Sequence, residues 1–508
     1  MAVLGLAAAA CGDDEGSTPD QTATTTTATV AVESTEAPPT TRPPFVQASA
    51  TVTGPIEGGA GIVQPQPSPG LPEGYTEAEY FIAGDATSFA PVGELSTDGN
   101  WTVAVADQAP FQTRVVVRAP DAADFSGVVV VEWMNVTSVE ATPDWGYLSE
   151  IIAASGHAYV AVSAQALGVV GGDSLLEINV PLGPGGGLIE LDGERYGDLV
   201  HPGDAYAFDL YSQVGEALAN NRGGLLGDLE ASTVIAMGES QSAFFLTSYI
   251  NGVHSLAGVY DGFFVHSRGS AAASLDGNFG EDEQEAPAMQ IRTDLDTPVF
   301  MVEAETDLTL LGFAAARQPD TATIRTWEIA GTAHADAHLI RAITGGPRTG
   351  AIGSALGCVG AINSGPHHEV AQAALTHLVA WVENGTPPPT GTPLELIETE
   401  DGVAIARDEL GIALGGVRNP LVDVPVVVTS GDPWSEPSED LEDFDICDLF
   451  GRTIPIELDG LIELHGSAEG YAAAFASSLR GAVADGFLLD LDAEQLLEEM
   501  QLNQALFE

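Results

Sequence analysis

The stretch Val234-Ile-Ala-Met-Gly-Glu-Ser-Gln-Ser-Ala243 limits the fold of this chain more than any other. Val234 to Met237 is a short apolar run with strand character, Gly238-Glu-Ser240 makes a corner, and Ala243 to Ile250 reads as a helix with Phe244, Phe245 and Leu246 on its buried face. A strand passing into a helix through a tight turn centred on a serine has the parts of a nucleophile elbow. A serine hydroxyl is a weak nucleophile at its ordinary pKa, so it has to protrude where a base can take its proton. The same turn aims backbone N–H groups at a developing oxyanion, and that of Gln241 is the first of these. Strand and helix nearly touch at such a corner, which demands small residues two places either side of Ser240. Gly238 meets the demand, and Ser242 stands where glycine is commoner.

Around this corner, apolar runs alternate with helical patterns. Glu77 to Ile82, Arg114 to Arg118, Gly127 to Glu132, Tyr159 to Ser163, Leu256 to Val265, Pro298 to Val302 and Thr323 to Ile329 read as strands. Leu148 to Ala154, Tyr206 to Leu218 and Val370 to Glu383 read as helices, the last ended by Asn384-Gly385. The run Val128 to Val131 is of the kind buried on both faces of a parallel sheet. The alternation predicts an α/β layered fold with a mostly parallel sheet. The polar stretch Arg268 to Glu285, after the sixth core strand, reads as an exposed insertion. The Gly/Pro loop Pro181 to Gly187 lacks the Lys-Ser/Thr that a phosphate cradle needs.

A serine nucleophile needs a base and an orienting acid, and α/β-hydrolases supply them in the chain order Ser, acid, His. His334 follows the Thr323 strand through the small turn Gly331-Thr-Ala, and is the candidate base. Glu303, Glu305 and Asp307 follow the Pro298 strand. Asp307 lies farthest along the loop, Glu305 is the alternative acid, and Glu303 continues the strand toward the interior. Asp307 and His334 both fall just past strand C-termini, where open α/β sheets bind ligands. The second oxyanion donor is expected from Asn135 or Val136, after the Val128 strand. His367 and His368 sit in a Pro-containing loop where they could line the site or cap the next helix, and His377 reads as packing. His334 and His338 are spaced to share a metal on one helical face, but Ala335 stands where a zinc peptidase carries glutamate. No metal and no cofactor is expected.

Tyr196 to Asp204, Val131 to Val136, Tyr159 to Gln165, Gly238 to Ala243 and Gly415 to Pro425 together resemble a bacterial family of large α/β-hydrolase-domain proteins, many of them secreted. The resemblance runs from about Val46 to the C-terminus. It implies an α/β-hydrolase fold over 46–508, with a C-terminal extension from about 395, and an esterase-type triad in which Ser240 matches the nucleophile and His334 the base. It leaves the acid open and implies no substrate; the reading of the residues is a hydrolase acting on a small-molecule or polymer ester. A non-catalytic surface binding protein on the same fold, or an amidase or peptidase using the same triad, are the alternative readings.

The chain carries 15 basic residues, all arginine, against 74 acidic ones, for a formal net charge of −59. That field repels nucleic acid and anionic membrane surfaces. Val3 to Ala10, ending in Ala8-Ala-Ala-Cys11, resembles the end of a bacterial lipoprotein signal peptide without its basic n-region, and Cys11 is the expected lipidation site. Residues 12–45 are Thr- and Pro-rich and read as a flexible tether. The expectation is a cell-surface protein held to the membrane only through its N-terminal lipid, or alternatively a secreted one. Export makes a disulfide between the two remaining cysteines, Cys358 and Cys447, the natural pairing.

Overall fold

The computed structural model describes residues 45–67, 69–137, 140–172, 186–278, 286–344, 357–399, 402–434 and 445–508. The signal-like segment, Cys11 and nearly all of the tether lie outside them, as do residues 181–185 of the Gly/Pro loop and 279–285 of the expected insertion. Nine strands make one sheet: β1 (Thr51–Thr53), β2 (Tyr75–Pro91), β3 (Val103–Pro120), β4 (Val128–Trp133), β5 (Ala158–Val162), β6 (Thr233–Glu239), β7 (Gly262–His266), β8 (Val299–Ala304) and β9 (Ile324–Ile329). Their order across the sheet is β1-β2-β3-β5-β4-β6-β7-β8-β9. From β5 onward the neighbours run parallel, while β3, β2 and β1 add an antiparallel edge.

The main helices are α1 (Pro143–Ala154), α2 (Ala207–Ala219), α3 (Gln241–Ser248), α4 (Glu305–Thr309), α5 (Ala337–Thr344) and α6 (His367–Asn384). Successive side chains of a strand point to opposite faces, and β4 uses both. Val129, Val131 and Trp133 join Phe208, Tyr211 and Phe245 of α2 and α3 in one core. Val128 and Val130 join Trp145, Leu148, Leu375 and Leu378 of α1 and α6 in another. This two-sided cover is why the strand reads as an unbroken apolar run.

After α6 the chain adds two small antiparallel pairs, β10 (Leu396–Thr399) with β11 (Gly402–Ile405) and β12 (Val427–Ser430) with β13 (Arg452–Pro455). Three helices close it: α7 (Leu458–His465), α8 (Ala468–Asp485) and α9 (Asp490–Asn503). The last two pack around a separate core, built on Tyr471, Phe475, Leu479, Leu496 and Met500. Phe45–Glu508 forms one compact unit, extension included. Cys358 and Cys447 are joined in a disulfide, with Cα atoms 5.5 Å apart. Among the described residues no helix is long and apolar enough to cross a membrane.

Several boundaries differ from the sequence reading, each for a local reason. Glu77–Ile82 and Arg114–Arg118 are the middles of a long hairpin, β2 with β3. Gly84, Asp85 and Pro110 interrupt its alternation and hide its length. Leu256 belongs to a short helical turn, His254–Ala257, which Gly258 ends in the left-handed region at φ +59°, and the strand starts only at Gly262. The expected exposed insertion is buried at its start. Arg268, Ala271, Ala273 and Leu275 are all inside, because the Arg268 guanidinium finds the carbonyls of Gly269, Ser270 and Met289. Helix α6 begins at His367, directly after Pro366, so both histidines of the expected loop lie in its first turn.

Candidate active site

Ser240 sits between β6 and α3 at φ +58°, ψ −124°, a backbone region few side chains adopt and one associated with functional turns. The crossing is tight: a Cβ on Gly238 would lie 3.1 Å from the Ser242 Cβ. The N–H of Ser240 donates to the carbonyl of His266, at 3.0 Å, which ties the corner to the end of β7.

The other two residues arrive from the ends of β8 and β9. Asp307 is the third residue of α4, and its Oδ2 accepts the N–H of Ala304 at 2.6 Å. This is the reach-back of an acidic N3 residue to the helix cap. It aims Oδ1 at His334 Nδ1, 2.6 Å away. With Nδ1 donating to the carboxylate, Nε2 is left as an acceptor, and it lies 2.8 Å from Ser240 Oγ. Asp307 is fully buried and His334 nearly so. The three residues read from the sequence therefore form one hydrogen-bonded line.

Glu305, the alternative acid, points elsewhere. Its Oε1 accepts from Gly331 N–H, its Oε2 from Gly431 N–H, and the same oxygen lies 2.7 Å from Arg407 Nη2. It fastens the C-terminal extension to the turn that carries His334. Burial nonetheless pushes its pKa up, against the Arg407 charge. Glu303 is buried in β8, and burial raises its pKa well above the carboxylate range.

The expected oxyanion donors are only partly open. Gln241 is the first residue of α3, so its N–H has no acceptor within the helix. The N–H of Asn135 is already given to the Ala141 carbonyl, which removes it as a donor and corrects that expectation. Its side chain instead donates to the Glu239 carbonyl. The N–H of Val136 donates to Gln241 Oε1, at 3.3 Å. The Gln241 side-chain oxygen thus takes up the N–H that chain position offers as the second oxyanion donor.

Sequence reasoning missed Glu239. Its carboxyl is buried at the end of β6, with Oε1 3.6 Å from His334 Nε2. Burial raises its pKa well above the usual range, and the nearby charge of Asp307 adds to the rise. The signal was its place beside Ser240, directly after the apolar run Val234 to Met237 and Gly238. His338 and His334 do not converge: His338 stacks on His368 with ring centres 3.7 Å apart. His377 bonds the Gly486 carbonyl and packs α6 against the extension. A cavity of about 810 Å³ lies between the α5 and α6 N-termini and the last helices, lined by Asp336, His368, Tyr471 and Phe475 but by none of Ser240, Asp307 and His334.

Two of the sequence blocks that carried the family resemblance also meet: Asp204 accepts from the Gln165 side chain and the Ala166 N–H. No curated protein matches the chain. Among solved structures it is similar to a glucuronoyl esterase from Solibacter usitatus, at 14% identity over 56% of this chain and 83% of that one with a TM-score of 0.27. It is also similar to a carboxylesterase from Lactobacillus plantarum, at 10% identity over 43% and 72% with a TM-score of 0.22. A family model described as an alpha/beta hydrolase domain matches residues 52–498. With the sheet order, the corner at Ser240 and a match along most of its length, the chain belongs to the alpha/beta hydrolase domain family.

Proposed function

We propose that the protein is a serine hydrolase of carboxylic esters. The observation that carries this reading is the unbroken line Ser240 Oγ, His334 Nε2, His334 Nδ1, Asp307 Oδ1. His334 takes the Ser240 proton as the oxygen attacks the ester carbonyl, and Asp307 holds the imidazole in the tautomer that can accept it. The tetrahedral oxyanion is held by the N–H of Gln241, and by that of Val136 once the Gln241 side chain swings away. The imidazolium protonates the departing alcohol, and water, activated by the same base, releases the acid from the acyl-enzyme. No step requires a cofactor or a metal.

The substrate is a small-molecule or polymer ester. We also propose export and lipid anchoring at Cys11, or secretion, from the N-terminal sequence; the disulfide accords with an oxidising compartment. A binding protein on this fold has no need of the strained serine and its oriented base. Matched ester and anilide substrates test the reading. Rapid hydrolysis of the ester, slow hydrolysis of the anilide and loss of both in Ser240→Ala support it. Faster anilide cleavage moves the protein to the amidases, and no turnover of either favours the binding role.

A further inference from the structure

Behind the Ser240 line runs a second row of polar side chains that the proposed reaction does not use. Asp144 is in the first turn of α1, His266 ends β7 and His367 opens α6, and all three are fully buried. Asp144 Oδ1 is 2.8 Å from His266 Nδ1, His266 Nε2 is 2.7 Å from His367 Nε2, and His367 Nδ1 is 3.0 Å from the Ala333 carbonyl. Groups facing the row are Glu132 from β4, Tyr147 from α1, Glu239 from β6, Asp307 from α4 and His334.

The direction of each hydrogen bond follows from the last one. A carbonyl only accepts, so His367 Nδ1 carries the hydrogen. Neutral His367 then has a bare Nε2, so His266 Nε2 must be the donor between the two rings. Neutral His266 in turn has a bare Nδ1, so the proton in that contact comes from Asp144, as a carboxylic acid. Removing this proton would set two lone pairs against each other at under 3 Å somewhere in the row. Moving it to His266 would create a buried ion pair, which burial opposes. Burial pushes both imidazoles down to about 3 and lifts the Asp144 carboxyl well above its range, in agreement with the neutral arrangement. Glu132 supports its start by accepting the N–H groups of Asp144 and Trp145, each at 3.0 Å.

Each histidine of the row connects to the main chain at or beside a reacting residue. The His266 carbonyl holds the Ser240 N–H at 3.0 Å. The Ala333 carbonyl, held by His367, immediately precedes His334. We infer that Asp144, His266 and His367 are positioning residues, a proton-locked brace that fixes the spacing between Ser240 and His334. The inference rests on the proposed role of Ser240. A displacement of about 1 Å in a reacting pair costs on the order of 100-fold in rate.

The experiment compares wild type, Asp144→Asn and Asp144→Leu in ester hydrolysis and in the rate of Ser240 labelling by a fluorophosphonate, with near-UV circular dichroism as the check on folding. The brace expects Asp144→Leu to lose on the order of 100-fold in kcat and in labelling rate with little change in KM. It expects Asp144→Asn to stay near wild type, because the amide N–H donates to His266 Nδ1 as the acid does. Equal rates for all three overturn the brace. An Asn variant as slow as the Leu variant overturns the proton assignment, since an ionised carboxylate is then what matters. A wild type that does not label at all removes the Ser240 reading itself, and the brace with it. If the Leu variant fails to fold, nitrogen-15 histidine spectra of the wild type decide. The brace expects a neutral Nε2–H His266 and a neutral Nδ1–H His367, unchanged between about pH 5 and pH 9. Like tautomers, or titration of either ring, overturn it.

Discussion

Replacing Asp307 by asparagine should do more harm than its small change in shape suggests, and the surroundings say why. The two Asp307 oxygens have separate tasks: Oδ2 accepts from Ala304 N–H and Oδ1 from His334 Nδ1, both at 2.6 Å. An amide has a single acceptor oxygen. Ala304 N–H is a fixed backbone donor, so the amide oxygen must turn toward it, which leaves the NH2 group facing His334 Nδ1. Nδ1 is then forced to accept, the ring proton moves to Nε2, and the nitrogen facing Ser240 can no longer take a proton. A wrong tautomer of this kind costs on the order of 10⁴-fold in kcat, or about 5 kcal/mol in activation free energy. KM should change little, because the acid does not touch the substrate. Glu305→Gln should leave kcat within about tenfold, since that carboxyl bonds Gly331, Gly431 and Arg407 rather than the imidazole. Steady-state kinetics on one ester, with thermal melts to confirm folding, provides the comparison. If Asp307→Asn costs less than Glu305→Gln, Asp307 is not the orienting acid.

Three further outcomes are expected. Gln241→Ala removes the side chain that holds the Val136 N–H at 3.3 Å; one such bond is worth about 1 kcal/mol, so kcat/KM should rise by up to about fivefold, and a large fall would mean the amide itself binds substrate. Burial lifts Asp336 from 3.8 to about 6. The folded protein therefore holds this proton more tightly than the unfolded chain, and its contribution is complete below pH 3.8, declines as pH rises to 6 and is lost above it. Asp336→Asn should thus stabilise the protein at pH 7.5 by up to about 3 kcal/mol and have no effect near pH 4, as read from melts at both values; equal shifts would contradict the linkage. Reducing the Cys358–Cys447 bond frees a loop of sequence separation 89, worth roughly 4–5 kcal/mol in the chain-entropy model. Because the Leu449 carbonyl accepts Ala335 N–H, beside His334, activity should fall together with the thermal midpoint, and a reduced protein with unchanged melting would refute the tie.

What the sequence revealed was local. The Ser240 corner, the β-branched strands and the small turn before His334 carry their signals within a few residues, and these assemble as read. Place in the loop favours Asp307 over Glu305, but only the Ala304 contact shows how the carboxylate is aimed. What stayed hidden is long-range. Nothing near Glu305 announces that Gly431 and Arg407 will complete its shell, and nothing near His367 announces Asp144 and His266. The β2–β3 hairpin escaped because its central residues break the alternation on which strand reading depends. Asn135 was a reasonable donor on chain position, yet a backbone bridge to Ala141 had already taken its N–H.

Whether Ser240 is a nucleophile activated by His334 can be read from the mass of the protein after reaction with a fluorophosphonate. One adduct per chain is expected, mapped by peptide sequencing to Ser240, absent from Ser240→Ala and slowed on the order of 10³-fold or more in His334→Ala. An unmodified wild type, or an adduct on another residue that persists in Ser240→Ala, would contradict it.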